Sequence, residues 1–180
     1  LQGRMALVTG ASRGLGRALC DVFAREGADV AFNYASDDEG ALETARRIEA
    51  HGRRAFPKKV SVTDRAGLRA WVKELESSDL AIDILVNNAG IFLAKPLVDY
   101  TNQDLDALVD TNLRGFVYAT RRAARHMRAH GGGHVVNVTA SIALQPQSSV
   151  PASLPILIKG GRNAATPALA LDLAPDPLHV

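Results

Sequence analysis

The 180-residue chain has room for one well-packed domain and not for two. With 47% apolar and 22% charged residues and a net charge of +2, its composition is that of a globular protein, and no dense Lys/Arg run marks a nucleic-acid surface: Arg121, Arg122, Arg125 and Arg128 recur at helical spacing and read as one solvated helix face. No apolar run approaches the roughly 18 residues of a membrane helix, no signal-peptide pattern precedes Val8, and the lone Cys20 admits neither an internal disulfide nor a cysteine metal site, so the expectation is a cytoplasmic protein without nucleic-acid or membrane partners.

Short apolar runs alternate with longer amphipathic ones, which predicts parallel strands joined by helical crossovers. The expected architecture is α/β: one Rossmann-type doubly wound sheet over residues 1–180, with helices on both faces. Met5–Thr9 reads as the first strand. Ala18, Leu19, Val22 and Phe23 share one face of the helix that follows, Cys20 falls in a packing position, and Gly27 ends the helix. Asp29–Tyr34 is the second strand, and Asp38–His51 is a charged helix closed by Gly52. Ala55–Val62 is the third strand, before a helix from about Asp64 to Ser77. Ala81–Val86 is the fourth strand, with Asn87-Asn88-Ala89-Gly90 as the loop at its end. Two helices follow, from about Asn102 and from about Gly115 to Ala129. Gly131-Gly132-Gly133 breaks the pattern before the fifth strand, His134–Thr139. Residues 140–155 have no clear period and read as loop, and a last helix runs from about Ile156 to Ala174.

The segment Thr9-Gly10-Ala11-Ser12-Arg13-Gly14-Leu15-Gly16 lies between the first strand and the first helix. There Gly10 allows a sharp turn, Gly14 removes a Cβ where backbone would approach a phosphate, and Gly16 lets the helix pack closely on the sheet. Free N–H groups at the helix start, with the helix dipole, favour a negative ligand. The spacing, Gly-x3-Gly-x-Gly, departs from G-x-G-x-x-G. Glycines in such a place can also form a purely structural turn. Arg13 is either a solvated loop cation or, within this turn, a partner for phosphate.

About twenty positions on, an NAD-selective site carries an acidic residue for the ribose hydroxyls. Here that place reads Asn33-Tyr34-Ala35-Ser36. Asn33 and Ser36 can donate to a 2′-phosphate and Arg13 can neutralise it, which favours NADP(H). A one-step shift of the loop would bring Asp37 or Asp38 into reach and reverse that preference.

Together, the glycine turn, Asn87-Asn88-Ala89-Gly90, Asn112-Leu113-x-Gly115, Lys159-Gly160-Gly161 and Ala168–Ala174 resemble the short-chain dehydrogenase/reductase family, in particular its 3-oxoacyl-[acyl-carrier-protein] reductase type. The resemblance implies that Asn88, Ala89 and Gly90 pass under the adenosine side of the cofactor, where the residues alone read as a polar turn. Ser61 and Val62 stand where the family usually has Asp-Val against adenine, so one hydrogen bond there is weakened or lost. Asn112 matches the asparagine that kinks a helix and holds a water in the family's proton relay. Ser141 is the candidate for the carbonyl-polarising serine, although direct counting puts that serine on Ala140 and only a one-residue bulge restores Ser141; Thr139 is the other candidate. Lys159 matches the lysine that binds the nicotinamide ribose and assists proton transfer.

Two departures stand out. The family's catalytic tyrosine lies four residues before the lysine, and that position is Pro155; no tyrosine follows Tyr118. Family members also continue well past Ala174 with further strands and a substrate-covering segment, so the fold is expected to be incomplete at its C-terminal end. Two functions remain open. One is an NADP(H)-dependent reductase or dehydrogenase of a small carbonyl or alcohol substrate, using Ser141, Lys159 and Asn112. The other is a catalytically inactive NADP(H) sensor or oligomer partner. A homodimer or homotetramer is implied by the resemblance, with Leu105, Leu108, Val109, Phe116, Val117 and Ala124 as candidate interface residues; core packing explains most of them equally well. The scattered histidines suggest no metal site.

Overall fold

The computed structural model describes residues 1–77 and 81–180. Six parallel strands form one sheet in the order β3-β2-β1-β4-β5-β6: β1 Met5–Thr9, β2 Asp29–Tyr34, β3 Ala55–Lys59, β4 Ile84–Asn87, β5 Gly133–Asn137 and β6 Leu178–His179. The crossovers carry α1 Gly14–Arg25, α2 Asp38–Ala50, α3 Arg65–Glu76, α4 Asn102–Leu108, α5 Gly115–Ala129 and α6 Ser153–Leu173. Among the described residues, no helix is long and apolar enough to cross a membrane.

The two-residue period of the strands decides what packs where. On β1, Met5 and Leu7 face one side and join Leu68, Trp71, Val72 and Leu75 of α3 with Ala123 and Met127 of α5. Ala6 and Val8 face the other and join Cys20 and Ala24 of α1 with Ala41, Ala45 and Ile48 of α2. Both faces are therefore dry, which is why the inner strands read as continuous apolar runs. Cys20 is fully buried and its thiol is pushed up mainly by desolvation, as suits a packing residue.

Several expected boundaries move. The third strand ends at Lys59, because the chain after Val60 folds into a turn with Asp64 N donating to Ser61 O. The fourth begins only at Ile84, and the fifth ends at Asn137 instead of Thr139. The last helix starts three residues earlier than expected, at Ser153, and so contains Pro155. A first-turn proline costs little, since its missing N–H would have no helical acceptor anyway. The stretch after Ala174 makes a sixth strand, pinned by Gly133 N donating to Pro177 O and by burial of Leu178. Two residues directly after Pro177 are too short to show a strand period.

The α4 and α5 helices are not separate. A π-helical turn, Val109–Arg114, joins them into one rod from Asn102 to Ala129. Of the candidate interface residues, Leu108, Phe116 and Ala124 belong to the core, while Leu105 and Val117 remain exposed. The arginine stripe of α5 is also less solvated than its spacing suggested: Arg122 grips Glu76 through two hydrogen bonds of 3.0 and 2.9 Å, and Arg128 pairs with Asp176.

Candidate functional site

At the centre of the sheet β1 and β4 are neighbours, yet the chain leaves them for opposite sides of the sheet. A crevice opens beyond their carboxyl ends, the place where such folds bind ligands. Thr9 and Asn88 knit its floor. Thr9 Oγ1 donates to Val86 O at 3.2 Å and accepts from the N–H groups of Asn88 and Ala89, each at 3.0 Å. Asn88 Nδ2 donates to Thr9 O and Gly10 O, both at 2.9 Å. The loop after β4 is thereby lashed to the glycine turn after β1.

That turn depends on missing side chains. Gly10 has φ +68°, and a Cβ there would lie 2.9 Å from Ala89 Cα. A Cβ on Gly16 would sit 2.6 Å from Asn88 Nδ2 and 2.8 Å from Ala11 Cα, and would collide with Gly10 O as well. The start of α1 lies bare. Asp37, Asp64 and Thr101 cap α2, α3 and α4 with their side chains, but Arg13 at the α1 N-cap makes no such bond, and no acidic residue occupies the first turn. Arg13, Gly14 and Leu15 are exposed and Ser12 is partly so. An uncapped helix start with a free cation beside it is a cradle for a diphosphate.

Asn33 belongs to the site differently from the expected role. Its side chain is buried, its Oδ1 accepts from Gly10 N at 3.2 Å and its Nδ2 donates to Val60 O at 2.7 Å. It therefore shapes the glycine turn and does not reach a 2′-phosphate. Ala35 and Ser36 are exposed at the end of β2. Asp37 is committed to capping α2 through Gly40 N at 2.9 Å, and Asp38 is paired with Lys59 at 2.6 Å. The Tyr34 hydroxyl is hydrogen-bonded to Asp38 and is shifted upward, by burial first and then by that carboxylate. Ser61 closes its own turn with Thr63 at 2.8 Å, and Val62 is buried against Gly115.

At the other end of the crevice, Gly90, Asn112 and Lys159 converge. A Cβ on Gly90 would lie 2.8 Å from Asn112 Oδ1 and 3.4 Å from Lys159 Nζ, and that Nζ donates to Val138 O at 3.2 Å. Asn112 lies in the π-helical turn, fully buried. Its Oδ1 accepts from Ile91 N and its Nδ2 donates to Ile91 O, both at 2.9 Å. Its amide thus clamps the loop after β4 through both of its polar atoms, which makes Asn112 a positioning residue for that loop. Lys159 is lowered to about 8, first by desolvation and then by the positive charge of Arg162. Ser141 is exposed at the start of a 3-10 turn, Ser141–Ala143, that packs against α6; Ala140 is that turn's N-cap and Thr139 is half-buried. Pro155 is buried one turn before Lys159 on the same helix.

Some contributors had escaped notice in the sequence. Thr9 looked like the last residue of a strand. Arg17 spans the site, donating to Ser12 O and, at 3.2 Å each, to Thr44 Oγ1 and Gly40 O. Asn87 bridges Thr120 and Asn137 at 2.9 Å each. All three act through partners more than twenty residues away in at least one contact, which no local pattern reveals. A separate concavity of about 720 Å³ lies elsewhere: it is a shallow groove between α3 and α5, lined by cations such as Arg65, Arg69, Lys73, Arg121 and Arg125. It has none of the strand-end geometry of the crevice.

Comparison with known proteins matches residues 4–179 to the short chain dehydrogenase family model. A 3-oxoacyl-[acyl-carrier-protein] reductase of Staphylococcus aureus is 37% identical over 139 residues, covering 77% of this chain and 56% of that protein. A gluconate 5-dehydrogenase of Gluconobacter oxydans is 36% identical over 174 residues, covering 96% of this chain and 66% of that protein. Among solved structures, a short chain dehydrogenase of Burkholderia cenocepacia in complex with NADP is 39% identical with a TM-score of 0.93, covering all of this chain and 72% of the other. The chain thus spans between about half and three quarters of the length of these relatives.

The packing around Gly16 gives a direct test. Gly16→Ala forces a methyl into backbone at Gly10 and Ala11, and overpacking of that kind costs about 1–3 kcal/mol. Urea unfolding of this variant is expected to lose stability in that range. Unchanged stability would contradict the close approach of α1 to the turn.

Proposed function

The chain belongs to the short-chain dehydrogenase family, and we propose that it is an NADP(H)-dependent oxidoreductase interconverting a ketone and a secondary alcohol, with an atypical proton donor. The convergence of Lys159 Nζ, Gly90 and Asn112 beside a switch-point crevice with an uncapped helix start carries this reading. The relative named as a 3-oxoacyl-[acyl-carrier-protein] reductase supports a 3-oxoacyl compound as the carbonyl substrate.

The residues present fit a nicotinamide dinucleotide. Gly10, Ser12, Arg13, Gly14, Leu15 and Gly16 would hold its diphosphate; Ser61, Val62 and Asn88–Gly90 would flank its adenosine side; Lys159 would take its nicotinamide ribose. The carboxylates that would disfavour a 2′-phosphate, Asp37 and Asp38, are occupied by Gly40 N and Lys59, while Ser36 and Arg13 are exposed. This supports NADP(H) over NAD(H). When bound, the cofactor supplies or accepts a hydride.

The chain's own task is then to move a proton at the substrate oxygen. A serine hydroxyl is too weak an acid for that, but an ammonium near pH 8 is close to the ideal for exchange at neutral pH. Lys159 donates the proton in reduction and takes it back in oxidation. Ser141 polarises the carbonyl by donating a hydrogen bond. Asn112 fixes the Ile91 end of the loop so that Gly90 leaves room for the Lys159 amine.

A second reading, a catalytically inactive NADP(H) sensor or oligomer partner, is favoured by one observation: Pro155 occupies the helical position one turn before Lys159 where the family's tyrosine is expected. NADPH oxidation with a panel of β-keto esters and simple ketones separates the two. The reductase reading predicts turnover that falls about tenfold per pH unit above pH 8, as the ammonium is lost, and a loss of ~10²–10⁴-fold in Lys159→Ala. Cofactor binding without turnover, unchanged by Lys159→Ala, would establish the sensor reading instead.

The long helical rod suggests how copies assemble. Asp106, Asp110, Leu113, Val117, Arg121 and Arg125 follow one another at three- or four-residue spacing on its outer face, and Leu113 and Val117 are 41% and 36% exposed. The stripe is acidic at one end, apolar in the middle and basic at the other. Two rods related by a two-fold axis near residue 115 would set Asp106 against Arg125 and Leu113 against Val117, and would bring Arg121 to the Asp110 carboxylate that Arg114 already holds on its own rod, a self-complementary pairing. Sedimentation is expected to show a dimer that Asp106→Arg or Arg125→Asp each weakens by about tenfold or more, with the double variant restoring it. A monomeric wild type, or single variants without effect, would remove this interface.

A further inference from the structure

Arg162 stands where α6 should bury an apolar side chain. Pro155, Ile158 and Arg162 are the buried residues of that helix, three and four apart, and only 1% of Arg162 is exposed. Its guanidinium lies 4.7 Å from the centre of the Phe116 ring, and Nη2 donates to Asn87 O at 2.9 Å. Nε and Nη1 are buried without a hydrogen-bond partner. Among the described residues no carboxylate pairs with Arg162 or with Lys159. Holding an unpaired cation in such surroundings is costly, and desolvation lowers Arg162 to about 10, which still leaves it charged at neutral pH.

Lys159 lies three residues earlier, one helical turn away. The groups around it come from four elements: the Val138 carbonyl after β5, which accepts from its Nζ, Gly90 in the loop after β4, the Asn112 amide of the π-helical turn on the other side of Gly90, and Arg162 on α6 itself, which acts through its charge. Of these only Arg162 carries a charge. Its anchoring on Asn87 O and Phe116 stops the guanidinium from swinging away to water, so the repulsion cannot relax.

We infer that Arg162 is a positioning residue for proton exchange at Lys159, its anchored and unpaired guanidinium holding a fixed positive charge one helical turn from the amine. This rests on the reading of Lys159 as proton donor. It gives the buried arginine a role that an apolar residue at the same place could not supply. Desolvation alone would also lower the lysine, but it would leave the lysine indifferent to the charge at position 162. The conservative and the neutral replacements of Arg162 therefore separate the two effects.

The chain contains five lysines, so their amines, reductively methylated with ¹³C-formaldehyde, can be titrated individually by NMR, and the Lys159 signal is the one missing from Lys159→Met. In the wild type its midpoint is expected near 8. Arg162→Met, or Arg162→Gln should the methionine variant not fold, is expected to raise it by about one unit, whereas Arg162→Lys keeps it within about 0.3 unit of the wild type. A wild-type midpoint at the ordinary lysine value, no rise in the neutral variants, or an equal rise in Arg162→Lys would each overturn the proposal. The titration is made on cofactor-free protein without turnover, so a failure to reduce ketones would count against the reductase reading and leave this result standing on its own.

Discussion

Two parallel strands that part company at their carboxyl ends leave backbone groups facing a gap, and those groups need partners. Thr9 and Asn88 supply them. The threonine hydroxyl takes the N–H groups of Asn88 and Ala89, and the asparagine amide returns two hydrogen bonds to the carbonyls of Thr9 and Gly10. This clasp holds the glycine turn against the loop after β4, which is only possible because neither Gly10 nor Gly16 carries a side chain. Asn33 braces the turn from the other side, and Arg17 ties it to α2. The bare start of α1 faces the crevice as a consequence.

The far end of the crevice follows another logic. There the α4–α5 rod bulges into a π-helical turn, a form that often marks functional sites, and the bulge brings Asn112 round to seize both backbone groups of Ile91. With that loop fixed, Lys159 reaches past Gly90 to Val138 O from a half-buried position. Behind it stands a second buried cation, Arg162. Two positive charges on one helix turn, without a carboxylate between them, make a site that favours loss of a proton and arrival of negative charge. Developing alkoxide and phosphate-bearing ligands are both negative.

Much of this was legible in the sequence. The alternation of apolar runs marks the strands along the chain as far as β5, and glycine spacing between β1 and α1 marks the turn, because both signals are local. Lys159 and Asn112 were found through family resemblance alone, since nothing in their neighbours distinguishes them. Asn33 was misjudged because an asparagine at a strand end looks free to bind a ligand; its partners, Gly10 and Val60, are far off in the chain. Arg162 was overlooked because an arginine is expected at the surface, and only tertiary contact reveals one buried over an aromatic ring. The sixth strand, two residues long, has no period to read. Ser141 heads a short 3-10 turn beside α6, within a stretch whose lack of period reads only as loop.

If the crevice above β1 and β4 holds NADP(H), as proposed, the exposed Arg13 and Ser36 are the groups left to meet a 2′-phosphate, because Asp37 and Asp38 are withheld by their own partners. Calorimetric titration of the purified chain with NADPH and with NADH tests it most directly. The account predicts saturable binding of NADPH, with NADH weaker by about tenfold or more, as expected for a lost charge-assisted contact. Equal affinities would contradict the assignment of the 2′-phosphate site, and no binding of either nucleotide would contradict the cofactor crevice itself.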